Sequence, residues 1–347
     1  MAGTYLNYPF DSELFLYQWG QEKDLVTNAM LQSGAVVNDA VIANLISNGS
    51  DIYTAPFYKN FTADPVNYDG ATDITAVETE GSSETGVVFG RAKGFKAKDF
   101  IADFNSGADP MSFIVSKVAK YWQDQKQKEL LSILNAIFGI TSASAGYAKD
   151  WHDEHITSLA LTAKAAVADE NKLGDATIAE AAQKALGSNA GEFGLAIMHS
   201  KVALNLATKQ LLQYRKYTDA MGIERTLNIA DINGYTVIID DDVPVAVNST
   251  TEAPEYTTFL LGTGCIRTAD APVDHPATVS RDEATAGGVE TLWTRQRQTI
   301  HPNGFSFKKP STGYTSSPTR TQLGTTANWE LARNPKEIAI AKIVSNG

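Results

Sequence analysis

The stretch DPMSFIVSKVAKYWQDQKQKELLSILNAIFG, residues 109–139, constrains the fold more than any other. Asp109 suits a helix N-cap, and Pro110 suits the first helical position, where its missing N–H removes no bond. Met111, Ile114, Val115, Val118 and Trp122 form an apolar stripe at helical spacing. Leu130, Ile133, Leu134, Ile137 and Phe138 resume the stripe after a polar middle, and Gly139 predicts its end. At ~1.5 Å per residue such a helix runs on the order of 40 Å. A polar centre between apolar ends suits a spine that crosses a flat domain, not a helix hidden in one core.

The 347 residues are 43% hydrophobic and 20% charged, enough for one large domain or two smaller ones and unlike a disordered chain. A net charge of −11 repels phosphate backbones, which argues against a dedicated nucleic-acid binder. Cys265 is the single cysteine, so no intrachain disulfide can form and a reducing compartment is expected. MAGTYLNYPFDSELF lacks a basic region followed by an apolar core, so no signal peptide is expected. No apolar run is long enough to span a bilayer.

Along the chain, aromatic residues are spread through 1–33 as in an arm that packs on something else. NDAVIANLISNG predicts a short helix with Asn38 as its cap, and DIYTAPFY a strand whose Pro56 marks an edge or a bulge. Residues 60–90 hold Asp64, Asp69, Asp73, Glu78, Glu80 and Glu84 with no Lys or Arg, and Arg91, Lys93, Lys96 and Lys98 then reverse the sign. Two extended segments about a turn at EGSSETG predict a long, polar β-hairpin. Such a hairpin needs an outside surface to hold it. Further on, ATIAEAAQKALG predicts a helix capped by Asp175, FGLAIMHS a buried strand, and SKVALNLATKQLL a helix capped by Ser200. ETLWTRQRQTI alternates as a strand, with Trp293, Arg295 and Arg297 on one face. The fold class expected is α+β, rich in strands after residue 190.

Three groups of residues raise the question of catalysis. Asp240, Asp241 and Asp242 end the strand GYTVII, but side chains alternate along a strand, and the spaced ligands of a calcium loop are missing. The structural alternative is a polar turn in which aspartates cap backbone amides. WHDEH spaces His152 and His155 three apart, where a zinc helix needs four, and is expected in a surface loop. His199 and Ser200 lack the small neighbours of a nucleophile elbow, and HPNGF reads as a turn. Cys265 has no motif around it and is expected to be a small buried residue. No catalytic, cofactor-binding or metal set emerges.

Five stretches in order resemble the major capsid proteins of tailed double-stranded DNA bacteriophages, the Hong Kong 97-type shell fold. They are VVFGRAKGFKAKDF running into the 109–139 stretch, LAIMHSKVALNLATKQLL, INGYTVIIDDDVP, YTTFLLGTGCIRTADAP, and SRDEATAGGVETLWTRQRQTIHPNGFSF. They cover roughly residues 35–310. The resemblance implies an N-terminal arm and short helix (1–56), an extended hairpin or E-loop (57–98) lying over the adjacent subunit, and a peripheral P-domain (99–189) with spine helix 110–138. It further implies an axial A-domain (190–275) and C-terminal strands returning to the P-domain (276–347).

The function so implied is structural. Copies would assemble as hexamers and pentamers into an icosahedral procapsid in the host cytoplasm, and the virion capsid would enclose double-stranded DNA with only weak, non-specific contact to it. Portal and scaffolding proteins and a decoration protein are the further partners implied; no membrane is. Candidate inter-subunit contacts are Asp73, Glu78, Glu80 and Glu84 in the hairpin, with Arg91, Lys93, Lys96, Lys98, Arg295 and Arg297 as basic counterparts. Two alternatives remain at this point. One is an encapsulin-like nanocompartment shell, and the other a metal-dependent hydrolase using Asp240–Asp242 with His152, His155 or His199.

Overall fold

The computed structural model describes residues 3–5, 8–10, 12–21, 30, 33–61, 63–74, 76–98, 110–142, 144–218, 224–232, 234–285 and 288–347. The elements that place the site are strands β1 (Ile52–Tyr58), β2 (Gly81–Val87) and β3 (Phe89–Lys98), then the spine helix α1 (Pro110–Ile137) and helix α2 (Tyr147–His155). Strand β4 (Phe193–Met198), helix α3 (Ser200–Thr208) and strand β5 (Tyr235–Ile239) follow. Strands β6 (Pro254–Gly262), β7 (Ile266–Ala271), β8 (Ala277–Asp282), β9 (Val289–Pro302) and β10 (Ile340–Ser345) complete the set.

Among the described residues two sheets organise the chain. The larger, mixed sheet places β6 between β10 and β4, with β5 beyond β4. Strand β4 reads as a continuous apolar run because both of its faces are covered. Leu195 and Ile197 face one core with Phe259 and the C-terminal half of the spine, while Phe193, Ala196 and Met198 face a second core under α3. The smaller sheet is built on β9, which pairs with β7, β8 and β3. Strand β7 therefore belongs with β9, and the last strand, β10, enters the sheet of β4, β5 and β6.

The spine is embedded at its two ends in different cores. Val115, Val118 and Trp122 pack with Phe15 and Leu292, while Leu130, Ile133, Leu134 and Ile137 pack with Trp151, Phe259 and Phe305. Each fully buried Leu or Ile contributes roughly 2 kcal/mol, so both ends are anchored and the polar middle bridges them. The expected Asp109 cap lies outside the described residues.

Several local expectations are corrected. The short helix starts at Ala40 and is capped by Asp39, whose carboxylate accepts from the Val41 and Ile42 amides; Asn38 ends the preceding strand, Val36–Asn38. The 175–186 helix begins at Asp175 with Gly174 before it, and α3 is capped by the His199 ring accepting from the Lys201 amide, not by Ser200. EGSSETG is not a turn. Residues 81–87 are strand β2, paired with β1 in a register running from Tyr58↔Gly81 to Ile52↔Val87. Small polar residues favour turns locally, but Gly86 is needed flat beneath Tyr53, where an added Cβ would lie 2.2 Å from the ring. The tip of the hairpin is the 59–80 loop.

WHDEH is the last turn of helix α2, not a loop. His152 is exposed, but His155 is buried, stacked on Trp151 with ring centroids 4.3 Å apart. Its Nδ1–H donates to the Ile340 carbonyl at 2.7 Å, and its Nε2 is buried without a partner, as suits a neutral ring. Burial pushes its pKa down from 6.5 to about 4. An unfolded chain takes a proton near 6.5 that the folded ring refuses, so this stability is full above pH 6.5 and is lost as pH falls toward 4. The loss totals about 3 kcal/mol. We expect His155→Phe to flatten the fall in melting temperature between pH 7 and 4.5, measured on unassembled subunits.

Candidate assembly surface

The middle of α1 is polar because Gln125, Gln127, Lys128 and Glu129 reach other elements. Gln125 Oε1 accepts from Arg320 at 2.7 Å, and Gln127 donates to Asp240 Oδ2. Lys128 lies 3.4 Å from Asp242. Glu129, 1% exposed, receives Arg91 Nε at 2.8 Å and lies 3.3 Å from Arg320 Nε. Arg91 also donates to the Gly90 and Pro318 carbonyls, both at 2.9 Å. One buried carboxylate thus holds the spine, the outgoing arm β3 and the 318–320 segment together. A buried charge of this kind persists only when it is paired.

The three aspartates divide their work. Asp240 meets Gln127 and also accepts from the Asp242 amide at 2.9 Å. Asp241 accepts from the Ser200 amide at 3.2 Å and lies 3.7 Å from His199 Nε2; hydrogen bonding from the Ser200 side chain, helped by its amide, lowers the Asp241 pKa. Asp242 turns to Lys128. Asp240 and Asp242 turn to the spine and Asp241 to the start of α3, each engaged with its own partner, and His152 and His155 sit on α2 with other partners; no cluster of metal-ligating side chains forms among the described residues. The metal-hydrolase alternative is therefore set aside. Cys265 is buried, as expected.

At the base of the hairpin, Glu84 is buried within its own chain. Its Oε2 lies 3.3 Å from His301 Nε2, and its Oε1 accepts from the Gly304 amide at 3.2 Å and from Arg333 Nε. The Arg333 guanidinium also covers the Phe57 ring, 4.2 Å from its centroid. Glu84 was expected among exposed contacts with a neighbour; the structure corrects this, because its carboxylate is consumed internally. Sequence could not separate it from the acidic run, since its counter-charges lie more than two hundred residues away. Arg91 is likewise taken by Glu129.

The remaining candidates are on the surface. Glu80 pairs with Lys59 at 2.8 Å, both exposed. Asp73, Glu78, Lys93 and Lys96 are exposed, whereas the side chain of Lys98 lies outside the described residues. Asp69, which the sequence did not single out as a contact, orders the loop tip. It accepts from the Ala71 and Thr72 amides and the Thr72 hydroxyl, and these bonds lower its pKa to about 2. Around these charges the loop exposes Phe61, Tyr68, Ile74 and Val77, with Tyr68 90% exposed, and Tyr58 at the end of β1 is exposed beside it. Its base is tied back by Asn60 donating to Glu337 at 2.6 Å. Arg295 and Arg297 stand on β9, well away in sequence. The structure joins Glu84 to Arg333 and Arg91 to Glu129, and within one chain, among the described residues, joins neither β9 arginine to the acidic loop.

An arm that shows apolar side chains to solvent, a clamped base and a two-core spine belong to a subunit built to be covered by others. The fold is similar to the capsid of Ralstonia phage GP4, with a TM-score of 0.56 and 10% identity over 91% of this chain and 88% of that one. It is also similar to the subunit in the cyanophage Pam1 capsid, with a TM-score of 0.51 and 11% identity over 87% of each. These likenesses show the fold, the Hong Kong 97-type fold seen in tailed-phage capsids.

The model of the Gp13-like family, described as major capsid protein 13-like, matches residues 120–339, and the chain belongs to that family. The major capsid protein of Bacillus phage SPP1 is 24% identical over 318 residues, 91% of this chain and 90% of that protein. The chain is thus a structural subunit of a phage virion capsid and not an enzyme, and its partners include copies of itself. No helix among the described residues is long and apolar enough to cross a membrane.

Three outcomes follow from these charges. Glu129→Ala leaves Arg91 without its counter-charge and should destabilise the unassembled subunit by about 3 kcal/mol in denaturant unfolding. Lys128→Ala, which removes an exposed pair, should cost less than about 1 kcal/mol in the same assay. For Glu84, burial alone would raise its pKa, but His301 and Arg333 outweigh burial and hold it below its usual 4.5. Its contribution is complete above about pH 4.5 and lost as pH falls through the depressed value. Wild type should therefore exceed Glu84→Gln in melting temperature at pH 7, and the gap should close toward pH 3.

Proposed function

We propose that this capsid subunit assembles as hexamers and pentamers into an icosahedral shell that encloses double-stranded DNA. The observation that carries this reading is the 59–80 loop. It exposes Phe61, Tyr68 and Ile74, next to exposed Tyr58 at the end of β1, while its base is fixed to the body by Glu84, Arg333 and the Asn60–Glu337 bond. Apolar side chains on a held, extended arm gain their stabilisation only against another surface, and closed symmetry supplies one at every subunit. The chain charge of −11 suits a lining that grips packaged DNA weakly and without sequence preference. A portal protein at one vertex, a scaffolding protein during assembly and a decoration protein outside are the further partners in this reading.

In the same reading, residues 57–98 act as the E-loop, 99–189 and 276–347 as the peripheral domain, and 190–275 as the axial domain whose tips meet at capsomer centres, with β7 and β10 crossing between the two to pair with β9 and β6. Negative-stain electron microscopy of purified protein tests it. Closed shells or hexameric capsomers are expected, and their yield should fall as salt rises, because many exposed charge contacts are screened. A stable monomer at high protein concentration would overturn it.

A further inference from the structure

An asparagine followed by glycine is a chemically weak pair, because glycine sets no Cβ in the way of its own nitrogen reaching the asparagine side chain. The chain holds four such pairs: Asn48–Gly49, Asn233–Gly234, Asn303–Gly304 and Asn346–Gly347. Asn233 lies outside the described residues. The fold treats the other three very differently.

Asn346 is 6% exposed and its amide is fully engaged. Its Nδ2 donates to the Pro254 carbonyl and its Oδ1 accepts from the Leu161 amide, both at 2.8 Å. Asn303 has its Oδ1 buried and its own amide held by the Cys265 carbonyl at 2.8 Å. The Gly304 N–H donates to the Glu84 carboxylate at 3.2 Å, and a nitrogen facing a negative charge resists losing its proton. The space is also closed there, since a Cβ at Gly304 would meet Ile338 at 2.6 Å.

Asn48 has none of this protection. It follows the short helix Ala40–Ile46, residues 47–50 are all exposed, and its side chain makes no hydrogen bond among the described residues. Gly49 sits at φ +84° with nothing within 4 Å of where a Cβ would lie. Its N–H has one partner, the Ile46 carbonyl at 3.2 Å, at the exposed end of the helix. The charge beside it has the opposite sign to that at Gly304. Arg297 donates to the Gly49 and Ser50 carbonyls at 3.3 and 3.2 Å, so a cation stands next to the nitrogen that must become negative.

We propose that Asn48 is a site of spontaneous modification selected by the fold. The Gly49 nitrogen gives its proton to water and attacks Asn48 Cγ. The new C–N bond closes a five-membered imide, and the side-chain nitrogen takes up a proton and leaves as ammonia. Water then adds to one imide carbonyl and breaks its bond to nitrogen. The product is either aspartate or the isomer whose main chain runs through the former side chain. Both place a carboxylate next to Arg297, which has no carboxylate partner among the described residues, and the isomer lengthens the chain by one methylene shortly before β1. The entry to the hairpin therefore changes with the age of the protein.

Peptide-mapping mass spectrometry on the full chain, kept folded in mildly alkaline buffer, tests the assignment. Asn48 should convert at least about tenfold faster than Asn303 and Asn346, which react only after local opening. In denaturant the three rates should fall within about threefold of one another, because the contacts that separate them are gone. Arg297→Gln should slow Asn48 by about threefold and Arg297→Lys should keep its rate, with melting as the check on folding. Asn48→Gln should stop the mass change in that peptide. A folded-state rate at Asn48 no higher than at Asn303 or Asn346 overturns the proposal, as does an Arg297→Gln chain that reacts as fast as wild type.

Discussion

The buried Glu129 carboxylate is the interaction on which the rest of the architecture depends. A charge at 1% exposure is tolerable only with its partners in place, so Arg91 and Arg320 must arrive together for the middle of the spine to fold. Arg91 brings β3, and with it the root of the hairpin; Arg320 brings the segment that closes over the spine. Gln127 and Lys128, just before it in the helix, bring the end of β5 through Asp240 and Asp242. Hydrophobic burial supplies most of the stability at the two ends of the helix, but it is nondirectional. The charge at the centre fixes which elements meet there.

Much of this was legible in sequence where the signal was periodic. The stripes from Val115 to Trp122 and from Leu130 to Phe138 located the spine, and the alternation in ETLWTRQRQTI gave β9 its two faces. The arrangement of motifs along the chain pointed to the capsid fold. Illegible were the features decided by distant partners. Glu84 looks like its acidic neighbours because Arg333 and His301 are remote in sequence. EGSSETG looks like a turn because the demand of Tyr53 for a glycine beneath it is a tertiary fact. His155 looks like a surface residue because the spacing of WHDEH does not reveal that one of its faces is closed by Trp151 and Ile340.

The candidate contacts divided along the same line. Charge signs were readable, but their use was not. Glu84 and Arg91 are spent inside the subunit, whereas Asp73, Glu78, Arg295 and Arg297 keep their charges without an internal counter-ion among the described residues. Burial, not composition, separates the charges that hold the subunit from those free to serve its neighbours.

The aspartates at the end of β5 carry a mechanical consequence. They join the sheet to the spine across a seam of side-chain hydrogen bonds and one exposed ion pair, while hydrocarbon packing lies to either side. Shearing packed hydrocarbon opens voids or exposes apolar surface, each displaced side chain costing on the order of a kilocalorie or more. Polar partners at a wet seam can exchange with water and re-pair after a small slide at far less cost. The Asp240–Asp242 corner is therefore the yielding edge of a contact that is otherwise hydrocarbon: its polar partners can exchange while Ile238 and Val243, on either side, keep the core that sheet and spine share.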